Sequence, residues 1–318
     1  MRLIMHIGMP KTGTTSIQES LHINRETLSR NGVYVPALLG KRNHRRFSKI
    51  FERPQNDKWS GLWLGNLSPD KTQAMVSENL RLFEEEVKLS NSHHSFVISS
   101  EQMSWRYESS EIQALAKVCQ EHFSRIDVII FLRPQWTAIP SRYWLSLRTS
   151  LLSKSFARWL EEDAFNHWQF DYAKLLDVWT SNFPEAKLSP IVMSGSGSFD
   201  SVEAFYRDAL GLQTSVVNIL PVDRKNESGS RFDVVALRTL NTFVSIWLRL
   251  KTSRELGMRA VRAKRRLNRM KPLLKWFGPY KIKKSQSRHI ADHYQQSNRV
   301  LSAKYFSGNR LFEVSENG

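Results

Sequence analysis

Apolar positions along the chain fall into two alternating patterns. Short runs of consecutive apolar residues are separated by longer stretches in which apolar residues return every three or four positions. Leu3 to Ile7 is the first run and predicts a buried strand. Thr14 to Arg30 carries Ile17, Leu21 and Leu28 on one face, has Gly32 just past its end, and predicts a helix. Val33 to Val35, stopped by Pro36, predicts a short strand. Residues 40–70 are rich in Gly, Pro, Asn and Trp and read as a long loop or a set of short elements. Lys71 to Leu89 predicts a second helix through Val76, Leu80, Phe83 and Val87. Phe96 to Ser99 predicts a buried strand, and a helix capped by Ser110 carries Ile112, Leu115 and Cys119. Ile126 to Leu132, apolar on both faces apart from Asp127, predicts a core strand. Helices follow near 135–149 and 170–183, then a strand from Leu188 to Met193 despite Pro190. A helix from Ser201 to Leu210 is ended by Gly211, and Phe232 to Lys251 is long and amphipathic. Strands separated by helices predict an α/β fold, a central parallel sheet with helices on both faces.

Composition narrows this little, and charge narrows it more. The 318 residues are 41% hydrophobic and 24% charged, which excludes a disordered chain or a coiled coil as the whole answer. The net charge of +17 points to a polyanionic partner. It is unevenly spread, because Lys251 to Lys284 holds 13 Lys/Arg against one acid, Glu255, and so carries +12 of it. The expected organisation is an α/β domain over 1–245, a basic helical segment over 246–284, and a C-terminal helix over 285–318 that packs back on the α/β domain. The single cysteine, Cys119, excludes an intrachain disulfide and a four-thiolate metal site. The first apolar run is too short for a signal peptide, and the expected address is the cytoplasm, peripheral at the inner membrane surface if the basic segment binds lipid.

The first run leads directly into His6-Ile7-Gly8-Met9-Pro10-Lys11-Thr12-Gly13-Thr14-Thr15-Ser16. A glycine turn between a strand and a helix aims several backbone N–H groups and the helix dipole at one point, which suits a phosphate-like anion. Lys11 adds a point charge, and Thr12, Thr14 and Thr15 add hydroxyls. The order of lysine and second glycine differs from a Walker A motif, which needs Gly-Lys-Ser/Thr at its end. Pro10-Lys11-Thr12-Gly13-Thr14-Thr15 resembles the 5′-phosphosulfate loop of sulfotransferases that use 3′-phosphoadenosine 5′-phosphosulfate (PAPS). In that family an Arg at a strand end and a Ser eight residues later grip the 3′-phosphate, and Arg133 and Ser141 have that spacing, followed by Tyr143. Two departures from the family pattern stand beside it: Pro134 directly follows Arg133, and Pro140 directly precedes Ser141. The bacterial, carbohydrate-directed members resemble the chain over about residues 2–245 and 285–313. Weaker likenesses lie at Phe170-Asp171-Tyr172, Arg224 to Ser228, and Arg299 to Phe312.

The resemblance implies a P-loop-like fold and donor contacts from Pro10, Lys11, Thr12, Gly13, Thr14, Thr15, Ser16, Arg133 and Ser141. It implies PAPS as donor co-substrate, no metal, and a carbohydrate or glycolipid acceptor. Sulfuryl transfer needs a base for the acceptor proton and a cation for the leaving oxygen. Lys11 is the candidate cation. Glu101, just past the Phe96–Ser99 strand, is the first candidate base, and His44, in the long loop, the second. His6 reads as a packed or hydrogen-bonded strand residue, and His93-His94 as exposed. From Arg254 to Arg269 the basic residues recur at near-helical spacing, with Leu256, Val261 and Leu267 between them. That pattern fits an anionic membrane surface or a polyanionic glycan. A nucleic-acid-binding protein is the alternative of another class, without a zinc-finger, RNP or helix-turn-helix signature. A P-loop kinase-like phosphotransferase is a third, and it would need an Asp where the core strand ends in Arg133.

Overall fold

Five of the apolar runs become strands: β1 (Arg2–His6), β2 (Val33–Tyr34), β3 (Ser95–Ser99), β4 (Arg125–Leu132) and β5 (Ala186–Val192). The structure, a computed structural model, describes residues 1–9, 12–52, 68–193, 201–213, 230–250, 280–309 and 311–312. Every strand pair is parallel, and the order across the sheet is β2-β3-β1-β4-β5. The helices are α1 (Thr14–Ile23), α2 (Arg25–Arg30), α3 (Arg45–Phe51), α4 (Pro69–Leu89), α5 (Gln102–Arg106), α6 (Ser109–His122), α7 (Gln135–Thr149), α8 (Phe156–Trp159), α9 (Tyr172–Asn182), α10 (Ser201–Ala204, continued to Leu210 with a wider turn), α11 (Arg231–Leu250) and α12 (Lys284–Tyr305). The expected α/β class with a helix-covered parallel sheet is what forms.

The chain divides into two compact units. The first comprises residues 1–134, 171–225 and 295–313 and holds the whole sheet. Registered neighbours on parallel strands point the same way, so Ile4 of β1 and Val97 of β3 share a face. That face packs on Ile17 and Leu21 of α1 and on Phe205 and Tyr206 past α10. On the other face Phe96 meets Phe123 at a ring distance of 5.4 Å and Phe83 of α4 at 6.3 Å. Burial on both faces explains why β1 and β4 read as unbroken apolar runs. Asp127 is the buried exception in β4, ion-paired to Arg2 and to Arg125. Cys119 is buried in α6, and burial pushes its thiol pKa up.

The second unit comprises residues 135–170, 226–294 and 314–318. Here α11 packs on α7, and Asn241 Nδ2 donates to the Leu147 carbonyl at 3.1 Å and to the Leu152 carbonyl at 2.6 Å. Phe165 stacks on His293 with ring centres 3.8 Å apart. The division is therefore interleaved, not the sequential one expected, because α7 and α11 meet across about a hundred residues of sequence. Most of the basic segment, 251–279, lies outside the described residues. No described helix is long and apolar enough to cross a membrane.

Two local expectations are corrected. Thr14 to Arg30 is two helices, because Asn24 leaves helical geometry (φ −100°, ψ 13°) and turns its side chain back to the Ser20 carbonyl at 2.9 Å. The helix carrying Cys119 is capped by Glu108 and not Ser110, with the Glu108 N–H donating to Glu111 Oε2 at 3.1 Å. Residues 45–51 form α3, one of the short elements that the reading of 40–70 allowed.

Candidate functional site

In this sheet order β1 lies between β3 and β4, so the carboxyl ends of these three strands sit side by side. The chain leaves β1 toward one edge and returns past it toward the other. Such a switch point leaves a crevice at the carboxyl edge, where α/β folds place ligands. The motif after β1, the carboxylate after β3 and the arginine after β4 all fall there.

The turn after β1 is set by two glycines. Gly13 is left-handed (φ 78°, ψ 8°) and is the N-cap of α1. A Cβ there would lie 2.0 Å from Ser201 Oγ. Gly8 also has positive φ (23°), and a Cβ there would lie 2.3 Å from Thr14 Cγ2 and 3.0 Å from His6 Nε2. Thr12 is buried, and its hydroxyl donates to the Met9 carbonyl at 2.7 Å, closing the turn from within. Thr14 is buried at the start of α1, Ser16 is half-buried and Thr15 is exposed. The free N–H groups of the first turn of α1 make this a suitable end for an anion. Pro10 and Lys11 lie outside the described residues.

Glu101 is brought to this turn. The Ser100 N–H donates to the His6 carbonyl at 3.0 Å, which carries the β1–β3 pairing to the last residue before Glu101. Thr14 Oγ1 then donates to Glu101 Oε2 at 3.3 Å. Ser104, in α5, donates its hydroxyl to the Gly8 carbonyl at 2.7 Å. Glu101 is half-buried.

Arg133 follows β4 directly. It is half-buried, its carbonyl accepts from Tyr172 Oη at 2.8 Å, and burial lowers the pKa of its guanidinium. A partly desolvated guanidinium gains more from an anionic ligand than an exposed one. Ser141 belongs to α7 in the second unit, and its hydroxyl donates to the Thr137 carbonyl at 3.0 Å within its own helix. Binding an anion there requires that hydroxyl to rotate.

His44 is not in an open loop. It is 1% exposed, and its Nδ1 accepts the Ser99 N–H at 2.9 Å while its backbone N–H donates to the Ser99 carbonyl at 3.0 Å. Burial lowers its pKa to about 3. A neutral imidazole with Nδ1 already filled holds the 38–44 segment against β3, and it makes a poor proton acceptor for a substrate.

Residues that sequence reasoning left aside also build the site. Ser104 and Ser201 have no motif spacing to mark them, because each touches the site through tertiary packing alone. His6 was seen only as a strand residue, and its neighbour Ser99 was legible only once β1 and β3 were known to pair. Among the described residues, no group of three or more His, Cys, Asp and Glu side chains is arranged to hold a metal ion.

No protein-family model matches this chain, and no curated protein matches it. Among solved structures, a sulfotransferase from Alicyclobacillus acidocaldarius is similar at 15% identity, with 95% of this chain and 94% of that one covered and a TM-score of 0.47.

Proposed function

We propose that the protein is a sulfotransferase that moves a sulfuryl group from PAPS to a hydroxyl, or an amine, of a carbohydrate or glycolipid. The observation that carries this reading is the meeting of the Gly8–Thr14 turn and Glu101 at one sheet edge, joined by the Thr14–Glu101 hydrogen bond of 3.3 Å, with Arg133 on the neighbouring strand end. The donor set suits such a nucleotide: a helix amino terminus for the 5′ anion, and a desolvated guanidinium for a second phosphate. When bound, the donor supplies an activated sulfur whose leaving group is the 5′-phosphate oxygen. Glu101 takes the proton of the acceptor as its oxygen bonds to sulfur and the bond from sulfur to the phosphate oxygen breaks. Lys11 neutralises the electron pair left on that oxygen. Arg133 reads the 3′-phosphate.

The basic segment 251–284 recruits the enzyme to an anionic membrane or glycan surface and takes no part in the chemistry. Co-sedimentation with anionic vesicles that survives high salt would contradict this, because screening shortens such attraction to about 8 Å at physiological ionic strength.

A thermal-shift panel tests the donor assignment. 3′-Phosphoadenosine 5′-phosphate at a hundredfold excess over its Kd should raise Tm by a few degrees, from about 2.7 kcal/mol of linkage. A preference for ATP–Mg²⁺ overturns the reading in favour of a kinase. Indifference to all nucleotides, with binding to RNA or DNA, overturns it in favour of a nucleic-acid-binding protein.

A further inference from the structure

One polar atom of the site is left without a partner. His6 is the last residue of β1 and is completely buried. Its ring is fixed on several sides, edge-on to Phe131 at 5.6 Å, tilted on Phe205 at 5.4 Å, and hydrogen-bonded through Nδ1 to Ser99 Oγ at 2.8 Å. Its Nε2 has no hydrogen-bond partner among the described residues. A buried polar atom left unmade costs about as much as a hydrogen bond lost, so such atoms call for an explanation.

The tautomer follows from the inventory of donors. If Nδ1 carried the proton, Ser99 Oγ would accept it, and both the Ser99 hydroxyl proton and the Nε2 lone pair would go unpaired. If the Ser99 hydroxyl donates to Nδ1, only one group is left over, the Nε2–H. Burial keeps the ring neutral, with its pKa lowered to about 3. The leftover group is then a neutral, rigidly held N–H donor.

That donor faces the turn. Nε2 lies 3.0 Å from where a Cβ of residue 8 would stand, and the methyl group of Thr14, the first residue of α1, lies 2.3 Å from the same point. Glycine at position 8 adds no side chain of its own between Nε2 and the Thr14 methyl group at the start of α1. The helix amino terminus and the orphan donor are independent features, one from backbone and one from a strand side chain, and they converge.

We propose that His6 Nε2–H is the floor of the anion site, donating a hydrogen bond to a phosphate or sulfate oxygen held between Gly8 and the amino terminus of α1. This deepens the sulfotransferase reading and rests on that terminus being an anion site. His6 would act as a neutral donor, adding direction without adding charge, and Ser99 would be its positioning residue.

The test is a titration of the full-length protein, labelled with ¹⁵N in histidine and in backbone amides, with inorganic pyrophosphate. The expected result is a saturable shift of the His6 Nε2–H signal with the same midpoint as the Gly13 and Thr14 amides. In His6→Phe that midpoint should rise roughly tenfold or more, the loss typical of a hydrogen bond to a charged acceptor. In His6→Gln, whose amide reaches the Nε2 position, it should stay within about threefold of wild type. If the Gly13 and Thr14 amides titrate while the His6 signal does not, the proposal is overturned and the anion site stands. A proton found on Nδ1, or contact of Nε2–H with a water that persists at saturation, overturns it equally. If no signal responds, the anion site and the proposed function fall with it. Should His6→Phe fail to fold, the wild-type titration alone decides.

Discussion

Alanine at position 13 would separate two reasons why the α1 cap carries no side chain. The first is conformational: φ of 78° and ψ of 8° lie in the left-handed region, which costs a residue with a Cβ about 1–2 kcal/mol. The second is steric: the added carbon would lie 2.0 Å from Ser201 Oγ and 2.7 Å from Ser201 Cβ. Rotating the hydroxyl relieves only the first of these contacts, so the start of α10 must also move, at about 1–3 kcal/mol by analogy with overpacked cores. Gly13→Ala should therefore cost about 2–5 kcal/mol in the native background and only about 1–2 kcal/mol beside Ser201→Gly, a coupling of about 1–3 kcal/mol. Hydrogen exchange of the β1 amides is the right assay, since it reports the stability of the unit that holds the turn without assuming that both units unfold together. Equal costs in the two backgrounds would refute the steric half of the reasoning. A cost under about 0.5 kcal/mol in both would refute the left-handed cap itself. Affinity for 3′-phosphoadenosine 5′-phosphate should fall in Gly13→Ala and recover only in part beside Ser201→Gly, because the cap conformation also aims the N–H groups of the turn.

Glu101→Gln should abolish transfer while leaving nucleotide affinity within about twofold, since a neutral amide keeps the shape and loses the proton acceptor; turnover above a tenth of wild type would remove Glu101 as the base. Arg133→Ala should weaken 3′-phosphoadenosine 5′-phosphate roughly ten- to hundredfold and adenylyl sulfate hardly at all, and equal losses in a binding assay would show that Arg133 does not read the 3′-phosphate. His44 titrates near 3 when folded, against an ordinary 6.5, so the unfolded chain binds the proton first as pH falls. Stability from this group is complete above pH 6.5 and declines by up to about 1.4 kcal/mol per pH unit toward pH 3. His44→Gln should flatten the acid limb of a stability–pH profile by that amount, and an unchanged slope would contradict the burial of a neutral ring.

The strands and most helices were legible because burial leaves a periodic trace. β4 is buried over all but its first residue and reads as an apolar run, while α11 and α9 show the helical period of a one-sided face. The turn after β1 was legible because glycine and threonine have few other reasons to stand in that order between a strand and a helix. What could not be read is what packing decides. Asn24 breaks a helix through a side-chain bond to Ser20 that no propensity encodes. His44 sits among polar and basic residues in sequence, which suggests solvent, yet its imidazole is spent on the backbone of Ser99. The interleaving of the two units is invisible for the same reason, since α7 and α11 share nothing in sequence except complementary faces.

The bonds around Ser99 and Ser104 explain how the proposed base, Glu101, and the turn after β1 keep a common frame. Ser99 donates its backbone N–H to His44 Nδ1, its carbonyl accepts the His44 backbone N–H, and its hydroxyl pairs with His6 Nδ1. Two residues on, Glu101 is bonded from Thr14, and three further on Ser104 reaches the Gly8 carbonyl. Each of these groups is either buried or half-buried, so none is freely exchanged for water, and together they tie the end of β3 to both ends of the turn. In-line transfer loses about a hundredfold for an error of 1 Å in placing the reacting groups. Apolar contacts alone resist such a displacement weakly, because they have no preferred direction. Directional bonds to both glycine-flanked ends of the turn supply that resistance.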